Sequence, residues 1–195
     1  MTCYSAPMVP MRYTTLMRDE EVLRFWFEET SPALWFTKDS AFDRVLTERF
    51  GALHHQATQG ECWGWRTTPR GRLAEVIVLD QFSRNIHRDT PQAFAHDGMA
   101  LVLAQEAIAV GADQALRSVE RGFLYMPYQH SESLLIHQTA VELYRSLDDP
   151  EGYEWELKHQ AIIERFGRYP HRNAILGRAS TAEEVAFLKE PGSSF

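Results

Sequence analysis

Apolar residues recur along most of this chain at the three- and four-residue spacing of an amphipathic helix. The first stripe, at positions 22–27, follows an acidic turn that favours a helix N-terminus. A second stripe, at positions 42–53, lies behind a capping side chain at Asp39 or Ser40. No window alternates convincingly with the period of two that indicates a strand. The pattern therefore predicts an all-α chain.

Turn and capping residues divide the rest of the chain into further helices, because proline and glycine mark where a helix begins or ends. The predicted starts are Thr68-Pro69, Thr90-Pro91, Asp113, Ser131, Asp149-Pro150 and Thr181, and the predicted ends are Gly60, Gly111, Pro127 and Gly167. Roughly eight helices joined by short loops result, and such helices pack as hairpins. We predict a compact array of antiparallel helical hairpins without a regular repeat.

The length of 195 residues suits one domain with a substantial core. We expect a single all-helical domain over residues 19–190, a flexible N-terminal tail over 1–18 and a frayed C-terminus over 191–195. An apolar share of 44% argues against disorder over most of the chain.

Charge and cysteine content indicate a cytoplasmic protein with no nucleic-acid partner. The net charge of −7 disfavours contact with polyanions. Cys3 and Cys62 are interpreted as reduced thiols, because a bridge from the tail would stabilise little. No apolar run approaches the roughly 20 residues that cross a bilayer, and the first residues lack the apolar block of a secretory signal. We therefore predict no membrane partner, while the oligomeric state stays open.

Charged side chains at helical positions where the pattern calls for apolar residues mark the first candidate site. Leu73, Val76 and Ile77 define one face of a helix, and Asp80 and Arg84 occupy the next positions on that face. Residues four apart on a helix can pair with each other. A buried charge is costly without a partner, so this pair predicts a polar interior.

Glu120 and His159 occupy similar positions on two other predicted helices. Such residues either form a network that braces the helices or converge into a pocket. The sequence leaves both alternatives open.

The segment at 126–133 is the second candidate. If Pro127 breaks one helix and Ser131 starts the next, His130, Ser131 and Glu132 lie at a helix N-terminus, where free amides can hold an anion. The alternative is a plain capping motif.

The segment at 164–178 is a concentrated basic stretch within an acidic chain. Guanidinium forks suit a carboxylate or phosphate, so the stretch predicts a site for a small anion. The alternative is that its arginines pair with Asp80, Glu120 or Glu164 inside the molecule. The candidate ligand-binding residues here are Arg168, His171, Arg172, Asn173 and Arg178, with Arg165 nearby.

The familiar catalytic motifs are missing. The sequence contains no phosphate-binding loop, dinucleotide fingerprint, zinc-protease helix motif or nucleophile elbow. No Cys/His spacing suggests zinc, so neither a metal nor a cofactor is predicted. His54 and His55 point to two faces of one helix and are interpreted as a solvated pair.

Three blocks of this sequence resemble those of a known family. They are LDQFSRNIHRDTPQAF, RGFLYMPYQHSES and RFGRYPHRNAILGR, and the resemblance extends from about Glu21 to Leu188. The chain is similar to the bacterial family catalogued as domain of unknown function 924. Members usually carry proline at the position of Ser83 and often tyrosine or phenylalanine near His87. The resemblance implies an all-helical fold similar to tetratricopeptide-repeat arrangements and brings no activity, substrate or cofactor.

Three hypotheses for function follow. The first is a binding protein whose polar cavity holds a small anionic molecule or an acidic peptide end. The residues expected to line the cavity include Asp80, Arg84, Asn85, His130, Arg168, Arg172 and Asn173.

The second hypothesis is a metal-independent hydrolase or lyase in which His130 or His159 is the general base, oriented by Glu132 or Asp80. The third is a protein-interaction scaffold, for which Trp63, Trp65 and Tyr128 are candidate groove aromatics. The first two require the polar residues to converge, and the third requires exposed aromatic side chains.

Overall fold

The computed structural model describes residues 19–194, and every regular element in that range is helical. The α-helices are α1 (Asp19–Arg24), α2 (Ser40–Thr58), α3 (Pro69–Ile77), α4 (Ser83–Ile86), α5 (Asp97–Ala109), α6 (Ser118–Gln129), α7 (Leu134–Arg145), α8 (Pro150–Phe166) and α9 (Ala182–Phe187). The predicted tail at 1–18, with Cys3, lies outside the described residues, as does Phe195. The all-α prediction is confirmed, whereas the likeness to tetratricopeptide repeats stays a prediction.

The third and fourth helices form one continuous rod. The π-helical residues Val78–Phe82, here called the π turn, connect α3 to α4 without a break. Over the part of the chain that the structure describes, this continuity gives eight helical rods, the number predicted. We call residues 69–86 the central rod.

The central rod is buried on almost every side. It contacts α1, α2, α5 and α6, and its residues from Leu73 to Ser83 are all buried. The sequence predicted one buried apolar face. The rod also buries a second face, because Glu75, which lies on it, is fully buried. Glu75 is held there by a two-bond pair with Arg66, whose Nε and Nη2 lie 2.7 Å from the two carboxylate oxygens.

Several predicted capping positions are confirmed. Asp39 accepts backbone hydrogen bonds at the start of α2, and Thr68 and Asp149 do the same before Pro69 and Pro150. Thr181 caps α9, and Gly167 ends α8 with a positive φ of 67°. Local side-chain chemistry determined these boundaries, so the sequence was sufficient to find them.

Two predicted boundaries between α6 and α7 are wrong. Pro127 lies inside α6, and the helix continues to Gln129 despite the missing amide hydrogen. The N-cap position of the next helix is Ser133 instead of Ser131, and Ser131 Oγ accepts from the Ser133 amide at 3.2 Å. His130, Ser131 and Glu132 therefore form the connection between α6 and α7, not a helix N-terminus.

Two further starts also differ from the prediction. The residues after Thr90 form only a short 3₁₀ turn, Pro91–Phe94, and α5 begins at Asp97. Asp113 does not start a helix, because its carboxylate is buried and accepts the hydroxyl hydrogen of Tyr125 at 2.7 Å. Arg117 precedes α6 instead, in a capping arrangement with Glu120.

The apolar core surrounds the central rod. Aromatic rings from four segments pack edge to face or tilted, as in the pairs of Trp26 with Phe82 at 5.6 Å and with Phe123 at 5.6 Å. A second, smaller apolar cluster, Ile162, Ile163 and Tyr169, lies towards the C-terminus. None of the helices within residues 19–194 combines the length and the apolar run needed to cross a bilayer.

Candidate functional site

Asp80 occupies the π turn at the polar end of the central rod and has no exposed surface. Its Oδ1 lies 2.7 Å from His130 Nδ1 and 3.2 Å from Arg84 Nη1, and Oδ2 accepts from the side chain of Gln81 at 2.6 Å. Burial raises the pKa of Asp80, but the charges of Arg84 and His130 outweigh burial and hold this pKa well below its usual range. The carboxylate is therefore ionised and fully paired. π turns of this kind are frequent at functional sites.

Asp97 is the second carboxylate of the cluster, and it is partly buried. Arg84 donates to both of its oxygens, with Nη1–Oδ1 and Nη2–Oδ2 distances of 3.0 Å. Arg172 Nη1 also donates to Asp97 Oδ2, at 3.3 Å. Asp97 thus joins α5 to the central rod and to the basic segment.

Arg172 is held between two aromatic rings. Its guanidinium carbon lies 4.7 Å from the ring centroid of Phe94 and 4.6 Å from that of Tyr169, and only 6% of the residue is exposed. Within residues 19–194 its Nε has no hydrogen-bond partner. Burial, followed by the neighbouring charge of Arg84, lowers the pKa of Arg172. A buried donor without a partner costs about 1–3 kcal/mol, so leaving Nε of Arg172 unpaired is destabilising.

His130 completes the cluster. Burial and the charge of Arg84 lower its pKa, which leaves the imidazole neutral near pH 7. Because the ionised Asp80 is an acceptor only, Nδ1 carries the hydrogen and Nε2 carries the lone pair. Asp80 thereby fixes both the orientation and the tautomer of the ring.

Of this cluster, Asp97, His130 and Arg172 line a cleft of about 330 Å³, whereas Asp80 and Arg84 do not. That volume lies at the small end of the range for ligand sites in proteins. Several of the other lining residues are apolar. The lining residues are Pro91, Phe94, Ala95, Asp97, Gly98, Leu101, Pro127, His130, Ser131, Glu132, Arg172 and Leu176.

Glu132 and Arg178 pair beside the cleft. Arg178 donates through Nη1 and Nη2 to the two oxygens of Glu132, at 2.6 and 2.9 Å. Glu132 also accepts from the backbone amide of Tyr169 at 2.7 Å, and Asn173 accepts from Arg178 Nε at 2.9 Å. The pair positions the basic segment against the α6–α7 connection. Glu132 therefore braces the cleft and makes no hydrogen bond to His130.

Two predicted histidines pack against the ring of Tyr169. The ring centroids of His159 and His171 lie 5.8 and 5.5 Å from that of Tyr169. His159 Nδ1 also lies 2.8 Å from the carbonyl oxygen of Trp155. Neither histidine is among the residues that line the cleft, whereas His130 is.

Three predicted residues do not join the cluster. Asn85 donates to Asp43 at 2.9 Å, and Arg168 donates to the carboxylate of Glu184 through Nε and Nη2. Glu120 pairs with Arg70 and Arg117 at the start of α6. Glu120 shares the apolar phase of Asp80, yet its position in the first turn of α6 gives it a capping role.

The sequence prediction missed Asp97, which pairs with both clustered arginines. Asp97 lies on the same helical line as Leu101 and Ala104, so the apolar-phase criterion that selected Asp80 also applies to it. The buried pair of His137 and Glu156 was missed as well, with Nδ1 and Oε1 2.7 Å apart. His137 Nε2 lies 2.8 Å from the carbonyl oxygen of Ser131, which ties the pair to the α6–α7 connection.

The interpretation of His54 and His55 as a solvated pair is wrong for His54. His54 is buried, and its Nε2 lies 2.8 Å from the hydroxyl of Ser83. Its ring centroid lies 5.1 and 6.0 Å from those of His87 and His96. Among residues 19–194 no group of His, Cys, Asp and Glu side chains has an arrangement suited to a metal ion.

The aromatic residues named for the scaffold hypothesis do not share an exposed groove. Trp63 is largely exposed, whereas Tyr128 is buried in α6. No continuous aromatic surface therefore joins them.

Fold and cleft together define an all-helical protein with a small polar cleft built on internal ion pairs. Over residues 22–192 the chain matches the family described as "Bacterial protein of unknown function (DUF924)", and it belongs to that family. The resemblance noted in the sequence is thus confirmed.

A solved structure from Agrobacterium tumefaciens, of the protein of unknown function ATU0120, is similar to this chain. The two sequences are 38% identical, and the structures superpose with a TM-score of 0.84 over 88% of this chain and 96% of the other. None of the curated proteins compared with the chain matches it.

Proposed function

We propose that this protein binds a small anionic ligand, either a free molecule or the acidic end of a peptide, in the cleft beside Arg172. The observation that carries the proposal is the buried Arg172, whose Nε has no partner among residues 19–194 while the side chain lines the cleft. An anion that accepts from this donor removes the penalty of leaving it unpaired.

The neighbouring Arg84 differs from Arg172 in its hydrogen bonds. Arg84 donates to both oxygens of Asp97 and to the backbone carbonyl of Asp80, so both of its terminal nitrogens are used inside the protein. Arg172 makes one hydrogen bond to Asp97 within the same part of the chain. Arg84 therefore acts as a brace, and Arg172 is the group available to a ligand.

Isothermal titration with acetate, benzoate, succinate and inorganic phosphate tests this function. At least one anion is expected to bind the wild-type protein, and to bind Arg172→Gln at least about tenfold more weakly, because the charged donor is lost. Arg165→Gln is the matched control, since Arg165 forms an exposed pair with Glu183. Thermal denaturation of each variant checks that it is folded. Equal binding by Arg172→Gln, or no binding of any anion, would contradict the proposal.

A metal-independent hydrolase is the second candidate, favoured by the Asp80–His130 pair. The carboxylate holds Nδ1, and within residues 19–194 no hydrogen bond involves Nε2 of this cleft-lining imidazole. A neutral imidazole oriented in this way is suited to general-base catalysis. Arg172 would stabilise negative charge that develops on a substrate.

Turnover of a panel of small esters and amides tests this candidate. If any substrate is hydrolysed, His130→Gln is expected to lower kcat at least about a hundredfold. His55→Gln, an exposed histidine on α2, is the control and should retain activity. Activity that persists in His130→Gln would exclude His130 as the base.

A further inference from the structure

Three arginines within residues 19–194 bind internal carboxylates through the same edge of the guanidinium. Arg66, Arg88 and Arg168 each use Nε and Nη2 to contact the two oxygens of Glu75, Asp43 and Glu184, at distances from 2.6 to 2.8 Å. This side-on geometry matches the spacing of the two carboxylate oxygens.

Arg172 has the same edge without such a carboxylate. Its hydrogen bond to Asp97 uses Nη1, and Nε is buried with no partner in the described part of the chain. The rings of Phe94 and Tyr169 lie 4.7 and 4.6 Å from the guanidinium carbon, which restricts rotation of the group. A fixed side-on edge beside a cleft is suited to the planar fork of a carboxylate.

The charges that line the cleft limit the charge of a ligand. Asp97 and Glu132 line it together with Arg172, while His130 is neutral. One negative charge on a ligand pairs with Arg172. A second would lie near two carboxylates with no lining guanidinium of its own, which is unfavourable at low dielectric.

The remaining lining indicates an apolar ligand body. Phe94, Leu101, Pro127 and Leu176 are among the apolar residues of the cleft, which has a volume of about 330 Å³. At the volume that a water molecule occupies in the liquid, this space holds roughly ten small groups. A carboxylate with an aromatic or branched apolar body of about ten non-hydrogen atoms satisfies these limits.

We propose that the cleft selects monocarboxylates with an apolar body, held side-on by Nε and Nη2 of Arg172, over dianions such as phosphonates and phosphates. This inference rests on the proposed anion-binding function and names the chemical class of its ligand.

Four matched probes test the inference by isothermal titration: phenylacetate, benzylphosphonate, phenylacetamide and acetate, at a pH at which the phosphonate carries two charges. Phenylacetate is expected to bind at least about tenfold more tightly than each of the others. Arg172→Lys should weaken phenylacetate binding about tenfold, because lysine keeps the charge and loses the fork. Arg168→Lys, which alters a side-on arginine away from the cleft, should leave it unchanged.

The outcomes separate this inference from the broader function. Benzylphosphonate binding as tightly as phenylacetate, and depending on Arg172, would overturn the carboxylate preference and leave anion binding intact. If acetate binds as tightly as phenylacetate, the preference for an apolar ligand body is wrong. If Arg172→Lys binds phenylacetate as tightly as the wild-type protein does, the side-on contact through Nε and Nη2 is wrong. If no charged probe binds, both proposals are wrong.

Discussion

His130 and Asp80 are 50 positions apart in the chain and share a hydrogen bond of 2.7 Å. The contact joins the C-terminal end of α6 to the π turn of the central rod. Since Asp80 also pairs with Arg84, the carboxylate neutralises a guanidinium and orients an imidazole at once. Removing the Asp80 carboxylate therefore leaves both Arg84 and His130 without this partner.

We expect Asp80→Ala to lower the free energy of unfolding by about 3–5 kcal/mol, because a buried ion pair loses one partner. Urea denaturation monitored by circular dichroism measures the loss. Glu183→Ala, which removes an exposed pair with Arg165, is the control and should cost no more than about 1 kcal/mol. Similar losses in the two variants would show that the Asp80 network is no stronger than a surface pair.

Buried histidines make stability fall as the pH is lowered. Burial lowers the pKa of His159 to about 3 and the pKa values of His54 and His171 to about 4, so the folded protein keeps them neutral where the unfolded chain takes up protons. Their contribution is fully present above the unfolded pKa of about 6.5 and is lost as the pH falls towards the folded values. Each histidine contributes a slope of up to about 1.4 kcal/mol per pH unit.

Urea denaturation at pH 7.5, 6 and 5 measures this dependence. His159→Gln is expected to show a shallower decline than the wild-type protein, whatever its absolute stability. His55→Gln, altered at an exposed position, should keep the full slope. A slope unaffected by His159→Gln would contradict the assignment.

Two helical glycines should respond to alanine in opposite ways. A Cβ at Gly71 would lie 2.0 Å from the carbonyl oxygen of Trp65, whereas a Cβ at Gly51 meets nothing within 4 Å. Gly71→Ala is expected to lower the free energy of unfolding by about 3 kcal/mol or more through overpacking. Gly51→Ala should raise it by about 0.5–1 kcal/mol, because alanine favours the helix. Thermal melts compare the two, and a stable Gly71→Ala variant would contradict this close contact.

Cys62 should be unreactive in the folded protein. It is buried, and burial followed by the charge of Glu75 raises the pKa of its thiol to about 12. In a Cys3→Ser variant, whose remaining thiol is Cys62, a disulfide reagent at pH 8 is expected to label the protein only in denaturant. Rapid labelling without denaturant would indicate frequent opening of the core around the central rod.

The helical fold was predictable because its evidence is local. Asp39, Thr68, Asp149 and Thr181 cap helices through side-chain contacts to nearby amides, and the sequence shows these residues in the required positions. Pro127 misled the prediction because proline usually breaks a helix, whereas α6 accommodates the loss of one backbone hydrogen bond and continues to Gln129. Packing against neighbouring helices offsets that loss, and packing is not visible in the sequence.

The cluster was only partly predictable. Polar residues at apolar phase located Asp80 and Arg84, and the basic segment located Arg172, which the structure brings together with His130. The sequence did not show which arginine pairs with which carboxylate. Arg168 pairs 16 residues away and Arg172 pairs 75 residues away, and such distances depend on the tertiary fold.

The π turn also sets the angular relation between the two halves of the central rod. An α-helix advances about 100° per residue, so the extra residue of a π turn rotates everything after it by roughly that angle. Ser83 faces His54 of α2, while Arg84 faces Asp97 of α5. Deleting one residue between Val78 and Phe82 would restore the α-helical phase and turn each of these side chains towards the wrong neighbour. The one extra residue of the π turn thus determines which neighbouring helix each of these polar side chains contacts.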